Sequence, residues 1–422
     1  MTERVESPTS ATIADTSEQP ATRGILRMLA LMGPAFVAGA WQFGPGNLTT
    51  AVQAGSGYLY TLIWVIVVST ILMIFLTDMS VRLGIRSPIS LITSIKDELG
   101  TWVGVLAGVG VFLITLCFSV GNAVGSGLGI SLLVGGSPVM WSVIATIAVG
   151  ALFLLRNVYQ SVERVLVVIV ALMAVAFIAS TFAARPDWGA AAAGLIPTIP
   201  EGSTLLIVAL VGTNLSCNAA FFTAYGTREH ARTERDYRDL TIADTIPGIV
   251  APGIMTALVI AVAAAALGAA GKPVTSIVGL AQVFEPLAGA LGAKIFALGF
   301  LGAAFSSMVA NATAGGIMLS DGLGRGSSAG SPTAKIVAGS ILAFGIGVTL
   351  AFQSSPVQLI VVAQALTVFV APILAALIIL MANRARLMGA LKNTWWQNVF
   401  GGLALLSVVA LSVRLFSTLF LT

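Results

Sequence analysis

WQFGPGNLTT, residues 41–50, lies inside a long apolar stretch, and its reading decides the fold. It sets Gly44, Pro45, Gly46 and Asn47 side by side. Glycine and proline are the poorest residues for a helix interior. Proline also removes a backbone donor, a loss that close helix packing does not require. Irregular backbone at membrane depth is tolerated only where protein or a cavity satisfies its polar groups. No charged residue accompanies the break.

The surroundings are those of a membrane protein. The chain has 422 residues, 57% hydrophobic and 9% charged. Its mean hydropathy is +0.99. A soluble domain carries about 25% charged residues. A spanning helix needs about 20 mostly apolar residues. Eleven segments qualify: 25–54, 58–83, 101–134, 138–155, 161–184, 203–226, 243–268, 290–320, 335–353, 356–382 and 398–420. The alternating pattern of an outer-membrane barrel is missing. The expected fold is therefore an all-α polytopic membrane protein with about eleven transmembrane helices in a single domain, 23–422. Residues 1–22, rich in Ser, Thr, Pro and charge, lack the apolar core of a signal peptide and read as a disordered cytoplasmic tail.

Charge placement sets the orientation. With the N-terminus inside, 17 of the 21 Lys and Arg residues fall on the cytoplasmic side, among them Arg82, Arg86, Lys96, Arg228, Arg232, Arg235, Arg238, Arg384, Arg386 and Lys392. Only Arg185, Lys272 and Lys294 fall outside, and Arg414 lies within the last helix. This positive-inside bias supports the count and places the C-terminus outside the cytoplasmic membrane. The pI of about 9.3 then reflects topology, not a nucleic-acid partner. The expected partners are the lipid bilayer and a small inorganic ion or small solute, with no cofactor. Cys117 and Cys217 both lie in apolar segments, and the single His230 lies in a charged loop, so neither type suggests a metal cluster.

The interruption recurs. The sixth segment contains VGTNLSCNAAFFTAYG, with Gly212, Thr213, Asn214, Ser216, Cys217 and Asn218 near its middle. Interrupted helices in corresponding positions of two halves mark the binding site of inverted-repeat transporters. The halves run from about 25 to 184 and from about 203 to 382, with an extra helix at about 398–420. The glycines of the third segment (Gly121, Gly125, Gly127, Gly129) are better read as close-packing positions.

These motifs, in this order and spacing, resemble the Nramp divalent-metal transporters, which have a LeuT-type fold of 5+5 inverted repeats with helices 1 and 6 broken. The similarity runs from about Leu31 to Gly402. It includes GPGNLTTAVQAGSGYLYTLIWVIVVS, then AAFSSMVANATAGGIMLSDGL, then VAQALTVFVAPILAALIILMANRARLMG. The departures are informative. The family's metal aspartate falls on Gly44. Its Met-Pro-His-Asn motif falls on Ser216, Cys217, Asn218 and Ala219. Its acidic pair in the third helix falls on Ser119 and Asn122. Asn47, the carbonyl of Thr213 and Gln364 remain.

The residues alone lead to the same place. None of the 17 carboxylates falls at the middle of a segment. Asp78, Asp244 and Asp321 lie near segment ends, and Asp244 reads as a helix N-cap. The residues and the resemblance together give a formally neutral expected substrate site, Gly44, Asn47, Thr213, Ser216, Asn218 and Gln364, with Ser119 and Asn122, which the resemblance implies, and Cys217 along the pathway and the metal, if any, unspecified. Cation sites in membranes ordinarily include an ionisable group. The family implies divalent-metal transport, while the neutral site argues against proton coupling. Two alternatives stay open: a neutral, zwitterionic or anionic solute, or a transport-inactive sensor or scaffold. No Walker motif and no nucleophile–base pair suggests an enzyme.

Overall fold

The computed structural model describes residues 31–152, 171–268, 274–353 and 356–420. The expected tail at 1–22 and the first part of the fifth segment lie outside the described residues. In chain order the main helices are α1 (Pro34–Gln42), α2 (Pro45–Tyr58), α3 (Ile63–Arg86), α4 (Leu91–Leu99), α5 (Thr101–Val134) and α6 (Pro138–Leu152). Then follow α7 (Ala171–Ala184), α8 (Thr204–Asn214), α9 (Cys217–Glu229), α10 (Ile246–Leu267) and α11 (Ala290–Gly322). The last are α12 (Pro332–Ala351), α13 (Pro356–Leu366), α14 (Ala371–Ala382) and α15 (Trp395–Phe420). Helix is present in each of the eleven expected segments. Among the described residues, seven spans are long and apolar enough to cross a bilayer on their own, and the bent pair α13–α14 makes up to eight. The first, fourth and fifth segments carry shorter or divided helices.

The first break is narrower than the sequence suggested. Only Phe43 and Gly44 leave the helix. Pro45 is the first residue of α2, where its missing N–H breaks no helical bond. Asn47 therefore sits in a helical turn, not in an unwound loop. The second break is equally short, at Leu215–Ser216 between α8 and α9. A third interruption, not expected from composition, bends α13 against α14 by 42°. Pro372 occupies the first turn of α14, where it again needs no donor.

The two broken segments form the centre of the bundle. Of the α8–α9 span, 89% is buried, against 22% for α15, which leaves most of its surface to lipid. α2 packs against α5, α8, α10, α11 and α13. Such close approach requires glycine. A Cβ on Gly39 would lie 1.7 Å from the carbonyl oxygen of Gly248, so no other residue lets α1 rest on α10. The glycines of α5 serve the same purpose against different neighbours: Gly121 against Gln364, Gly125 against Pro45, Gly127 against Ser142 and Gly129 against Leu301.

The buried carboxylates are structural anchors at one end of the bundle. Asp244 does not cap its own helix, as the sequence suggested; it lies in a π-helical turn, Thr241–Thr245, that runs into α10. Its carboxylate instead accepts from the backbone N–H groups of Gly33 (2.8 Å), Ala35 (3.0 Å) and Phe36 (2.9 Å), capping α1 across a sequence gap of about 210 residues. A negative charge there also meets the positive end of the helix dipole. Asp78 accepts from Arg82 (2.9 Å) and from the Tyr237 hydroxyl (2.7 Å). The Tyr225 hydroxyl donates to Asp321, as does that of Thr93 (2.9 Å). These contacts tie α3 to the segment that precedes α10 and join α4, α9 and α11 to one another.

Candidate functional site

The two breaks meet. A small cavity of about 20 Å³ lies where they adjoin α5, α11 and α13. It is lined by Trp41, Gln42, Gly44, Gly46, Asn47, Phe118, Asn122, Thr213, Ser216, Ser307, Asn311 and Gln364. None of these side chains is ionisable. Among the described residues no three His, Cys, Asp or Glu side chains come together anywhere.

Of the six expected substrate-site residues, five line this cavity: Gly44, Asn47, Thr213, Ser216 and Gln364. Asn218 sits behind them, fully buried, and accepts a hydrogen bond from the Ser216 hydroxyl at 2.7 Å. Of the three pathway residues only Asn122 reaches the cavity. Ser119 bonds its own helix at Leu116 O (2.8 Å), and its backbone packs on Gly345 of α12. Cys217, the first residue of α9, is buried outside the lining, its thiol 3.9 Å from Leu215 O.

Asn47 is already committed. Its Nδ2 donates to Thr213 Oγ1 (3.3 Å), and its Oδ1 accepts from Thr256 (2.8 Å). The side chain thus pins α2 to α8 and α10. Gln364 is held differently, by the absence of side chains around it. A Cβ on Gly46 would fall 2.3 Å from its carboxamide, and one on Gly121 2.8 Å from its Nε2. A Cβ on Gly212 would fall 2.4 Å from its backbone oxygen. Three helices therefore need glycine where α13 inserts this one residue.

Gly44 is also explained by its surroundings. A Cβ there would lie 2.5 Å from Ser307 Oγ, which donates to the carbonyl of Trp41 at 2.9 Å. Ser307 of α11 fills the space a side chain at 44 would take.

Sequence reasoning missed Gln42, Ser307 and Asn311. Gln42 and Asn311 carried the signal that identified Gln364, a lone carboxamide in an apolar helix. The buried atoms around the cavity are unusual. Gln42 Oε1 and Nε2, Asn122 Nδ2, Asn311 Oδ1 and Gln364 Oε1 have no partner within the protein. A buried polar atom left unpaired costs about 1–3 kcal/mol, and such atoms gathered in one place point to a ligand.

With this geometry established, comparison with known proteins is informative. The profile described as Natural resistance-associated macrophage protein-like (Nramp) matches residues 35–418. The chain belongs to the Nramp family. This Nramp protein is 29% identical over 416 residues to the divalent metal cation transporter MntH of Yersinia pestis (strain Pestoides F), covering 96% of this chain and 98% of that one. It is 27% identical over 391 residues to MntH of Klebsiella pneumoniae (strain 342), covering 91% and 93%. Its fold is that of an Eremococcus coleocola manganese transporter, with a TM-score of 0.79 at 19% identity, covering 97% of this chain and 91% of that chain. MhsT in complex with L-phenylalanine also shares the fold, with a TM-score of 0.55 at 14% identity, covering 90% of this chain and 98% of that one. The architecture is thus LeuT-type, and the family is one of membrane transporters, not enzymes.

Proposed function

We propose that this Nramp protein is a secondary transporter of metal cations that binds its cargo at the junction of the two helix breaks and moves no protons with it. The relatives' names supply the metal class, since MntH is named a divalent metal cation transporter. The supporting observation is the cavity itself. Its 20 Å³ is room for about one water-sized particle. In this conformation that admits an ion and leaves no space for an amino acid or a larger solute. Gly44, Thr213, Ser216 and Gln364 contribute backbone and side-chain oxygens, Asn47 holds the breaks together, and Asn218 orients Ser216.

Proton coupling requires groups that titrate near the working pH. Neither Asn122 nor Asn218 does so. The donor set contains no thioether, thiolate or imidazole, the ligands that favour softer transition metals. In proteoliposomes carrying a pH dye, at least one metal cation is expected to enter above the level of empty vesicles, with no acidification. Mn²⁺ uptake is expected to be weak. Vigorous Mn²⁺ uptake with proton influx would show that a carboxylate now at the bundle end reaches the pathway. Failure of every cation to enter would remove the transport reading.

The orientation belongs to the same proposal. The end of the bundle that holds Asp78, Arg82, Arg86 and Asp321 faces the cytoplasm, with repeats at about 25–184 and 203–382 and Thr422 outside. Single cysteines placed at residues 228–238 are expected to resist membrane-impermeant maleimide in intact cells and to react after lysis. Labelling in intact cells would invert the topology.

A further inference from the structure

The unpaired atoms around the cavity discriminate by charge. Asn311 donates its Nδ2 to the carbonyl of Ser307, four residues earlier, at 2.9 Å. That bond fixes the carboxamide so that its oxygen is the unpaired atom. Gln364 Oε1 and Gln42 Oε1 are unpaired acceptors as well, against the Nδ2 of Asn122 and the Nε2 of Gln42 as donors. All four residues are at least nine-tenths buried and border the same cavity. Among the residues that border the cavity three unpaired oxygens stand against two unpaired nitrogens, with Asn218 Nδ2 a third behind Ser216, and the Asn311 oxygen is the one that a hydrogen bond holds in place, which favours a cation over an anion. The half-helix termini do not offset this. The positive ends of α2 and α9 at Gly44 and Ser216 are matched by the negative ends of α1 and α8 at Gln42 and Asn214.

A cavity of about 20 Å³ obliges the ion to shed nearly all of its water. The cost of that step rises with the square of the charge, so it is roughly four times larger for a dication than for a monovalent ion. Carboxylates ordinarily offset it for Mg²⁺ and Ca²⁺, and none is present here. Neutral carbonyl oxygens alone do replace the water of a monovalent ion in potassium-channel filters.

Resting on the reading of this cavity as a cation site, we propose that Gln42, Asn122, Asn311 and Gln364 form a neutral carboxamide cage selective for a bare alkali cation over a divalent one. Gln42 and Asn311 are then specificity-determining residues, and the protein parts from the divalent cargo named for its relatives.

Thermal unfolding of the purified full-length protein in detergent tests this, with ionic strength held constant by N-methylglucamine chloride. The probes are LiCl, NaCl, KCl, MgCl₂ and MnCl₂. One alkali cation is expected to raise Tm saturably, as a ligand of the folded state does, while neither dication does. Gln42→Leu is expected to abolish that rise. Asn311→Asp keeps the shape and adds a charge, and it is expected to tighten Mg²⁺ or Mn²⁺ binding by at least about 10-fold in calorimetry. A dication that stabilises the unmodified protein more than any alkali cation overturns the inference and leaves the cation-site reading in place. An alkali response unchanged in both variants overturns the cage. No response to any of these cations removes the cation-site reading itself.

Discussion

Arg82→Ala is expected to destabilise the protein by about 3–5 kcal/mol, the cost of leaving a buried charge without its partner. Arg82 is 2% exposed although it lies on a spanning helix. Its Nε donates to Asp78 (2.9 Å), its Nη1 to the carbonyl of Leu391 (2.7 Å) and its Nη2 to Asn393 Oδ1 (2.8 Å). Asp78 in turn accepts from Tyr237 and Gln397. One guanidinium thus joins α3 to the 391–397 segment and, through Asp78, to the residues before α10. The alanine variant takes the cation from Asp78, which keeps the Tyr237 and Gln397 donors, and leaves the Leu391 carbonyl and Asn393 Oδ1 without theirs. Removing both charges in Asp78→Asn with Arg82→Met is expected to recover a large part of the loss. Heating the purified protein in detergent and measuring the surviving monodisperse fraction by gel filtration checks both. A single variant as stable as the unmodified protein would mean that water already reaches Asp78.

The second large effect concerns Mn²⁺. Gly44→Asp with Ser216→Met adds one anionic and one soft ligand, which suits a transition metal. The structure adds a condition. The new Cβ at 44 would lie 2.5 Å from Ser307 Oγ, so the aspartate fits only by swinging that hydroxyl off the Trp41 carbonyl. The double variant is expected to bind Mn²⁺ little better than the unmodified protein. Adding Ser307→Ala is expected to raise the affinity on the order of 100-fold, or about 2.8 kcal/mol. Calorimetry of Mn²⁺ binding reads this directly. Equal gains with and without Ser307→Ala would show that α11 moves freely away from Gly44. No proton flux is expected in either case, because Asn122 and Asn218 remain.

Much of the fold was legible because it is local chemistry. For most segments whose ends are described, length and apolarity place the helices within a few residues of where they occur; the third ends at Val134 as expected. Both central breaks could be found from Gly44–Asn47 and from Gly212–Asn218, since a cluster of small and polar residues weakens a helix that lipid alone would not tolerate broken. The width of the first break was not legible. Pro45 reads as a defect in a helix interior but is harmless as the first residue of one. The bend between α13 and α14 was not legible either, because Pro372 sits in an otherwise uniform apolar run.

What the sequence by itself determined is the class of protein, the family resemblance and the neutrality of the centre, because these depend on which residues are present and how they are spaced. The tertiary structure decided what each polar residue does. Asn47 and Gln42 are both amides beside the same break, yet Asn47 is bound by Thr213 and Thr256 while Gln42 has no partner in the protein. Asp244 caps a helix 211 residues away rather than its own. Gly44 owes its identity to Ser307, on a helix far along the chain. In a tightly packed interior a side chain's partners are set by the rotation and approach of whole helices, and local spacing carries no information about either.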